Sequence, residues 1–386
     1  MLANLLDGLF NGVSIGAVLL LAALGLAIVF GLMGVINMAH GELIMLGAYT
    51  TFVVQNVFKA MGSPWSDFYI FFALIAAFIV TALVGLLLER SVIRFLYGRP
   101  LETLLATWGV SLILQQFIRS VSWQFSIGVG LFCVLFFGAI AFIAKRPDYE
   151  QIQVRVIAVL LPLSAAIAFI VSNLVGNSFK LAVTKPWFGT QGVDVTAPKW
   201  LRGGLVLGTS QLPYTRLFII ALTIVCLMGI YWFLNKTAWG LRIRSVTQNR
   251  GMSACLGIPT QKVDAITFAI GSGLAGVAGV AVALLGSVSS NTGQAYIVDT
   301  FMVVVIGGVG KIVGSIMAAG AIGIISYIVG SNAFAPLAAS SPVLSGILEF
   351  FATASMAKVV VFALIVVFLQ FRPAGLFPQK GRTVEA

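Results

Sequence analysis

Apolar runs of membrane length recur along this chain, near 8–32, 41–58, 67–88, 103–121, 126–144, 155–175, 215–234, 263–287 and 345–371. No other feature narrows the fold as much. In hydrocarbon every backbone N–H and C=O must find a partner within the protein, which leaves only helices or a closed barrel. The runs are continuous rather than alternating, so a barrel is excluded. A further apolar segment, 298–331, is broken by Gly307-Gly-Val-Gly-Lys-Ile-Val-Gly314. As one helix it would rise about 50 Å at 1.5 Å per residue, against about 30 Å of hydrocarbon. Two shorter helices meeting at the glycines fit better, and such breaks are tolerated where they are buried in protein or line a polar cavity. The expected fold is all-α: a polytopic membrane bundle of about ten to eleven transmembrane segments in one domain over 1–386.

Charge agrees with this. Only 9% of residues are charged, against about 25% in soluble domains. The net charge of +11 does not point to nucleic acid, because the basic residues sit in short loops without an aromatic-interleaved patch. Cys133, Cys226 and Cys255 share no metal or redox spacing. The first residues, Met1 to Asp7, lack the basic flank of a cleaved signal, so the first run is expected to be retained.

Lys and Arg orient the bundle. Arg90, Arg94 and Arg99 share one loop, Lys145, Arg146 and Arg155 a second, and Arg372, Lys380 and Arg382 follow the last run. A third loop, 235–262, is a basic island with Lys236, Arg242, Arg244, Arg250 and Lys262 and no acidic residue before Asp264. Placing all of these inside gives an outside N-terminus and an inside C-terminus. The loop 176–214 then lies outside, although Lys180, Lys185, Lys199 and Arg202 within it run against the rule. Its Thr184–Thr190 and Pro198–Trp200 stretches, rich in aromatics and proline, suit interfacial anchors or a platform for an external binding protein.

Within the island, Asn249 to Ile258 reads as a short amphipathic helix offering Met252, Leu256 and Ile258 to a partner, with Pro259 discouraging its continuation. A hydrophobic peg on a basic cytoplasmic loop fits docking to a soluble subunit.

Polar residues at membrane depth are few. His40 and Glu42 stand in Asn37-Met-Ala-His-Gly-Glu42, too close together for a metal motif and unaccompanied by a nucleophile. They either satisfy a broken helix or line a pathway. Thr107, Ser111 and Gln115, spaced four apart, share a helix face that either binds a neighbouring helix or hydrates a conduit for a small neutral solute. Small residues at the same spacing, Gly8, Gly12 and Gly16, then Gly271, Ala275, Gly279 and Ala283, permit close helix contact within the chain or between subunits. Gly307–Lys311 fails as a nucleotide loop, since Val305 stands where Gly is needed and Ile312 where Ser or Thr is needed.

The stretch Asn37-Met-Ala-His-Gly-Glu-Leu-Ile-Met-Leu-Gly-Ala-Tyr49 resembles the signature of branched-chain amino acid ABC importer permeases. Leu87–Arg90 with Arg99-Pro100, the island around Asn249–Ile258, the Gly307–Gly314 break and the ending Arg372–Phe377 are also similar, in order over nearly the whole chain. More narrowly, Tyr97–Val110 and Lys180–Val195 resemble the first permease subunit of urea ABC importers. The resemblance implies a single transmembrane permease domain in the bacterial cytoplasmic membrane. Its partners would be a homologous second permease, two cytoplasmic ABC ATPases, a periplasmic substrate-binding protein and membrane lipid.

ATP and magnesium belong to the ATPases, leaving no cofactor, metal or catalytic residue here. The coupling helix maps onto Asn249, Met252, Ala254, Leu256, Gly257 and Ile258; Asn37, His40, Glu42, Thr107, Ser111 and Gln115 are candidate pathway residues. Urea is the expected cargo, with branched-chain amino acids as the rival and a stand-alone channel or secondary carrier as the rival of another class. The runs 126–144 and 155–175 depart from the amino acid permeases, which pass from the span ending near Arg119 straight to the outer loop.

Overall fold

A computed structural model describes residues 2–62, 67–143, 149–179, 187–188, 192–207, 210–331 and 354–377. Among these are thirteen α-helices. They are α1 (Leu2–Ile28), α2 (His40–Met61), α3 (Tyr69–Ser91), α4 (Pro100–Ser120), α5 (Trp123–Ile143), α6 (Tyr149–Phe179) and α7 (Tyr214–Lys236). Then follow α8 (Ala238–Gln248), α9 (Arg250–Cys255), α10 (Thr260–Leu285), α11 (Thr292–Gly307), α12 (Ile312–Gly330) and α13 (Ala354–Phe371). Seven helices are long and apolar enough to span a membrane, and four shorter apolar helices accompany them. The polytopic all-α bundle is therefore observed. The chain divides into two compact units, residues 1–112 with 194–386, and residues 113–193.

Helix starts follow local chemistry. Pro100 opens α4, where a missing N–H costs nothing. Thr237 caps α8 by accepting from the Gly240 N–H at 3.1 Å. α1 ends in a π-helical turn, Val29–Met33, closed by Gly34 at φ 68°.

In the first unit α10 is the central helix, buried almost along its length between α1, α2 and α3. Apolar burial gives helices no association drive in lipid, so close packing must hold the bundle. Small residues make that possible. A Cβ on Gly279 would fall on the backbone of Ile44 and Ala48 in α2, and one on Gly271 would meet Val29 and Gly25 of α1. Gly12 and Gly16 sit against Ile324 and Ala319 of α12 in the same way. Both small-residue faces therefore pack within the chain.

The 298–331 segment is two helices, as expected, although the first begins earlier, at Thr292. α11 and α12 form a tight hairpin around Gly308 and Gly310, with φ of 96° and 79°. Gly307 and Gly314 touch backbone to backbone there. The Arg372–Phe377 ending closes over this turn: Leu376 N–H donates to the Ile306 carbonyl at 2.7 Å, and Gly375 (φ 74°) lies against Val305. Two motifs far apart in sequence thus cap one helix end.

An antiparallel strand pair, Gly204–Leu207 with Ser210–Pro213, precedes α7 and was not foreseen in the outer loop. Thr196 and Trp200 of the loop are tied to the α2 and α3 ends. Gln55 Nε2 and the Tyr69 hydroxyl donate to the Thr196 carbonyl at 2.7 and 2.9 Å, and Trp200 stacks on Phe71. In the second unit α5 and α6 form a hairpin. The Ser172 hydroxyl there donates to the Gln124 carbonyl at 2.8 Å, and Gln124 Nε2 donates to Asn173 Oδ1 at 3.1 Å.

Candidate functional site

Two places gather the residues that the sequence singled out. The first is the start of α2. Residues 34–39 turn back from the end of α1, and α2 begins beside the middle of that helix. His40 Nε2 donates to the Ala22 carbonyl at 3.1 Å. The imidazole fits because Gly25 has no side chain; a Cβ there would lie 2.8 Å from His40 Cε1. Asn37 Oδ1 accepts from the Ala39 N–H at 3.0 Å, holding the turn that launches the helix.

Across from it, α4 supplies hydroxyls. Ser111 donates to Glu42 Oε1 at 3.0 Å, and Thr107 Oγ1 accepts from the Met38 N–H at 3.1 Å. Glu42 lies in the first turn of its own helix and beside Gly293, in the first turn of α11. Two helix N-termini therefore converge on its carboxyl group. Asn37, His40, Glu42, Thr107 and Ser111 are all buried, none more than 3% exposed.

The structure thus joins five of the six candidate pathway residues into one polar cluster. Gln115, the sixth, is buried too but belongs to the second unit. Asn37 Nδ2 and His40 Nδ1 have no hydrogen-bond partner among the described residues.

The second place is the basic island. Asn249 caps α9, its Oδ1 accepting from the Met252 N–H at 2.9 Å. Gly257 (φ 80°) ends that helix, in a conformation a side chain would strain. Met252 and Leu256 are 60% and 75% exposed, and Ala254 is exposed with them. Ile258 departs from the expected peg: it packs half-buried with Ile243, Val246 and Val263. It thereby ties the segment to the body of the protein.

Arg250 is the second anchor and was missed in the sequence. Its guanidinium pairs with Asp264 Oδ2 at 2.6 Å and lies 4.7 Å from the centre of the Tyr97 ring, whose hydroxyl donates to Glu89 Oε1 at 3.2 Å. The tyrosine lies outside the spans, and burial pushes its ionisation well above the usual phenol range. It serves as a neutral donor under a cation. The absence of acidic neighbours within the island hid this clamp, because the carboxylates come from α3 and α10.

The chain thus carries a short exposed apolar helix and a separate buried polar junction. Comparison with known proteins gives the family. Residues 8–369 match the family described as branched-chain amino acid transport system, permease component. The chain belongs to this family.

Among its relatives is the high-affinity branched-chain amino acid transport system permease protein BraD of Pseudomonas aeruginosa. It is 25% identical over 373 residues, 96% of this chain and 95% of that protein. The Escherichia coli K12 permease protein LivH is 24% identical over 320 residues, 81% of this chain and 82% of its own. A fructose import permease protein, FruF of Bifidobacterium longum, is 36% identical over 124 residues, 32% of this chain and 33% of its own. No solved structure matches. The chain is thus a multi-pass ABC permease component, a transport protein and not an enzyme by its family.

Proposed function

We propose that this permease carries branched-chain amino acids through an ATP-driven importer, working with a second permease, two ATPases bearing ATP and magnesium, and an external binding protein in the bacterial inner membrane. Full-length similarity to permeases named for that cargo carries the reading. The exposed Met252–Leu256 edge of α9 supports ATPase docking, since an apolar patch on a basic cytoplasmic segment has no lipid to cover it. In this reading ATP-driven closure of the ATPases pushes α9, and the Arg250 clamp passes the push to α3 and α10.

Urea is the second reading. It is favoured by the Tyr97–Val110 stretch and by the neutral hydroxyls and amide of Thr107, Ser111 and Gln115, which suit an uncharged solute.

Uptake of radiolabelled leucine and urea into proteoliposomes holding the full complex separates the two. ATP-dependent leucine uptake that excess urea does not inhibit is the expected result; urea uptake alone would replace it, and uptake without ATP would support a stand-alone carrier. The orientation is tested with single cysteines in a cysteine-free background. Lys199→Cys should react with an impermeant maleimide in intact cells, and Gln248→Cys only after lysis.

A further inference from the structure

Away from the His40 cluster, the first unit holds a cavity of about 400 Å³ among α1, α11, α12 and α13, within the ~300–1,000 Å³ range of small-molecule sites. Most of its wall is apolar, with Val18, Ile322, Val361 and Phe362. Set into that wall is an ion pair: Lys358 Nζ of α13 donates to Asp299 Oδ2 of α11 at 3.2 Å. Tyr296, Ser326 and Tyr327 add hydroxyl-bearing side chains.

Charges within apolar membrane helices are costly, and where they persist they mark a pathway more often than a packing contact. The two side chains are unequally covered. Asp299 is 15% exposed, but Lys358 is 55% exposed, so the pair is half open. A purely structural clamp gains little from an open lysine, because an exposed pair is worth at most about 1 kcal/mol. A second cavity of about 280 Å³, lined by Ser287, Ser289, Asn291 and Thr292, shares Leu285 and Tyr296 with the first. It sets hydroxyl and amide side chains beside the first cavity. Ile15, Val18 and Leu19 of the lining lie in the N-terminal half of the α1 span, the half that the loop charges place outside.

We propose that Asp299 and Lys358 form a solute-binding site in the outer half of the membrane. It takes a small solute that offers N–H donors to the carboxylate and an oxygen acceptor to the ammonium group. An amino acid meets this with its ammonium and carboxylate groups and lays an aliphatic side chain on Val18, Ile322 and Phe362. Urea meets it with its amide N–H groups and carbonyl, and leaves the apolar wall unused. The inference rests on the permease reading above.

Two measurements test it. In the full complex without native cysteines, Ser326→Cys is alkylated from outside, with leucine or urea present or absent. Protection of at least fivefold by one solute is expected and names the cargo class; protection by neither overturns the site. Separately, uptake per assembled complex is compared for Asp299→Asn, Lys358→Gln and the charge swap Asp299→Lys with Lys358→Asp. Each single change should lower uptake at least tenfold. The swap should restore complex yield but not uptake, because donor and acceptor then face the solute reversed. A swap that restores both, or singles within twofold of the parent, would reduce the pair to a structural tie. If the parent complex carries neither solute, the permease reading fails on its own, independently of the labelling.

Discussion

The start of α2 and the α9 segment are both short, motif-bearing stretches, yet they invert the usual partition of side chains. His40, Glu42 and their hydroxyl partners are polar and buried, whereas Met252 and Leu256 are apolar and exposed. In a membrane permease each has a physical reason. Buried polar groups at the α2 start tie broken helices together where lipid offers no hydrogen bonds. On the proposed reading, the exposed apolar groups of the basic segment lie outside the lipid and await a protein partner. The comparison teaches that the first region holds the chain together, while the second, on the proposed reading, serves something outside it.

Substitutions can break that contrast, and the largest effect is expected at Gly41. Its Cβ would strike the Gly293 carbonyl, which is backbone and cannot move aside without shifting α11. Gly41→Leu should cost about 3 kcal/mol or more and abolish recovery of monodisperse protein in detergent. Normal yield would show that the junction is looser than the geometry implies.

Leu256→Asp comes next and should act only between chains. The position is exposed, so chain stability should shift within about 0.5 kcal/mol, while burying an unpaired carboxylate in a docked interface costs several kcal/mol. ATPase co-purification should fall at least tenfold at an unchanged melting temperature. Full ATPase recovery would remove α9 from the interface.

Glu42 separates structure from passage. Glu42→Leu removes the acceptor of the Ser111 hydroxyl and should cost about 1–3 kcal/mol, seen as a lower melting temperature. Glu42→Gln keeps an acceptor and should cost less. If uptake per assembled complex falls in the Gln variant while melting is preserved, the cluster belongs to the pathway and the contrast weakens.

The smallest effect is expected at Asn249, where Ala removes the α9 cap at a cost of about 1 kcal/mol. Uptake per complex should drop a few-fold and recover with Asn249→Asp, which caps equally well. No change in either variant would mean that α9 is held by Arg250 and Ile258 alone.

How much of this was legible beforehand depends on whether the signal was local. The helix break at Gly307–Gly314 could be read because no single helix of that length fits the membrane, and the glycines mark the bend. The amphipathic 249–258 segment could be read because its cap, apolar edge and stop lie within ten residues. The clamp of Arg250 on Asp264 and Tyr97 could not, since its three members come from different elements. The Asp299–Lys358 pair is hidden for the same reason: its members stand in different apolar segments, 59 residues apart. The half-burial of Ile258 is not legible in a helical projection, which continues past Gly257, whereas the chain turns there.

Apolar runs, loop charges and glycine spacing determined by themselves that this is a helical membrane protein with close-packed small-residue faces. Those properties come from transfer free energy and backbone hydrogen bonding, which act residue by residue. Tertiary structure alone decided that the α2 start meets Ala22, Ser111 and Gly293, that the final Arg372–Phe377 turn caps α11, and that Asp299 faces Lys358. Such pairings depend on which helices lie side by side, and helical periodicity reports a face without naming its neighbour.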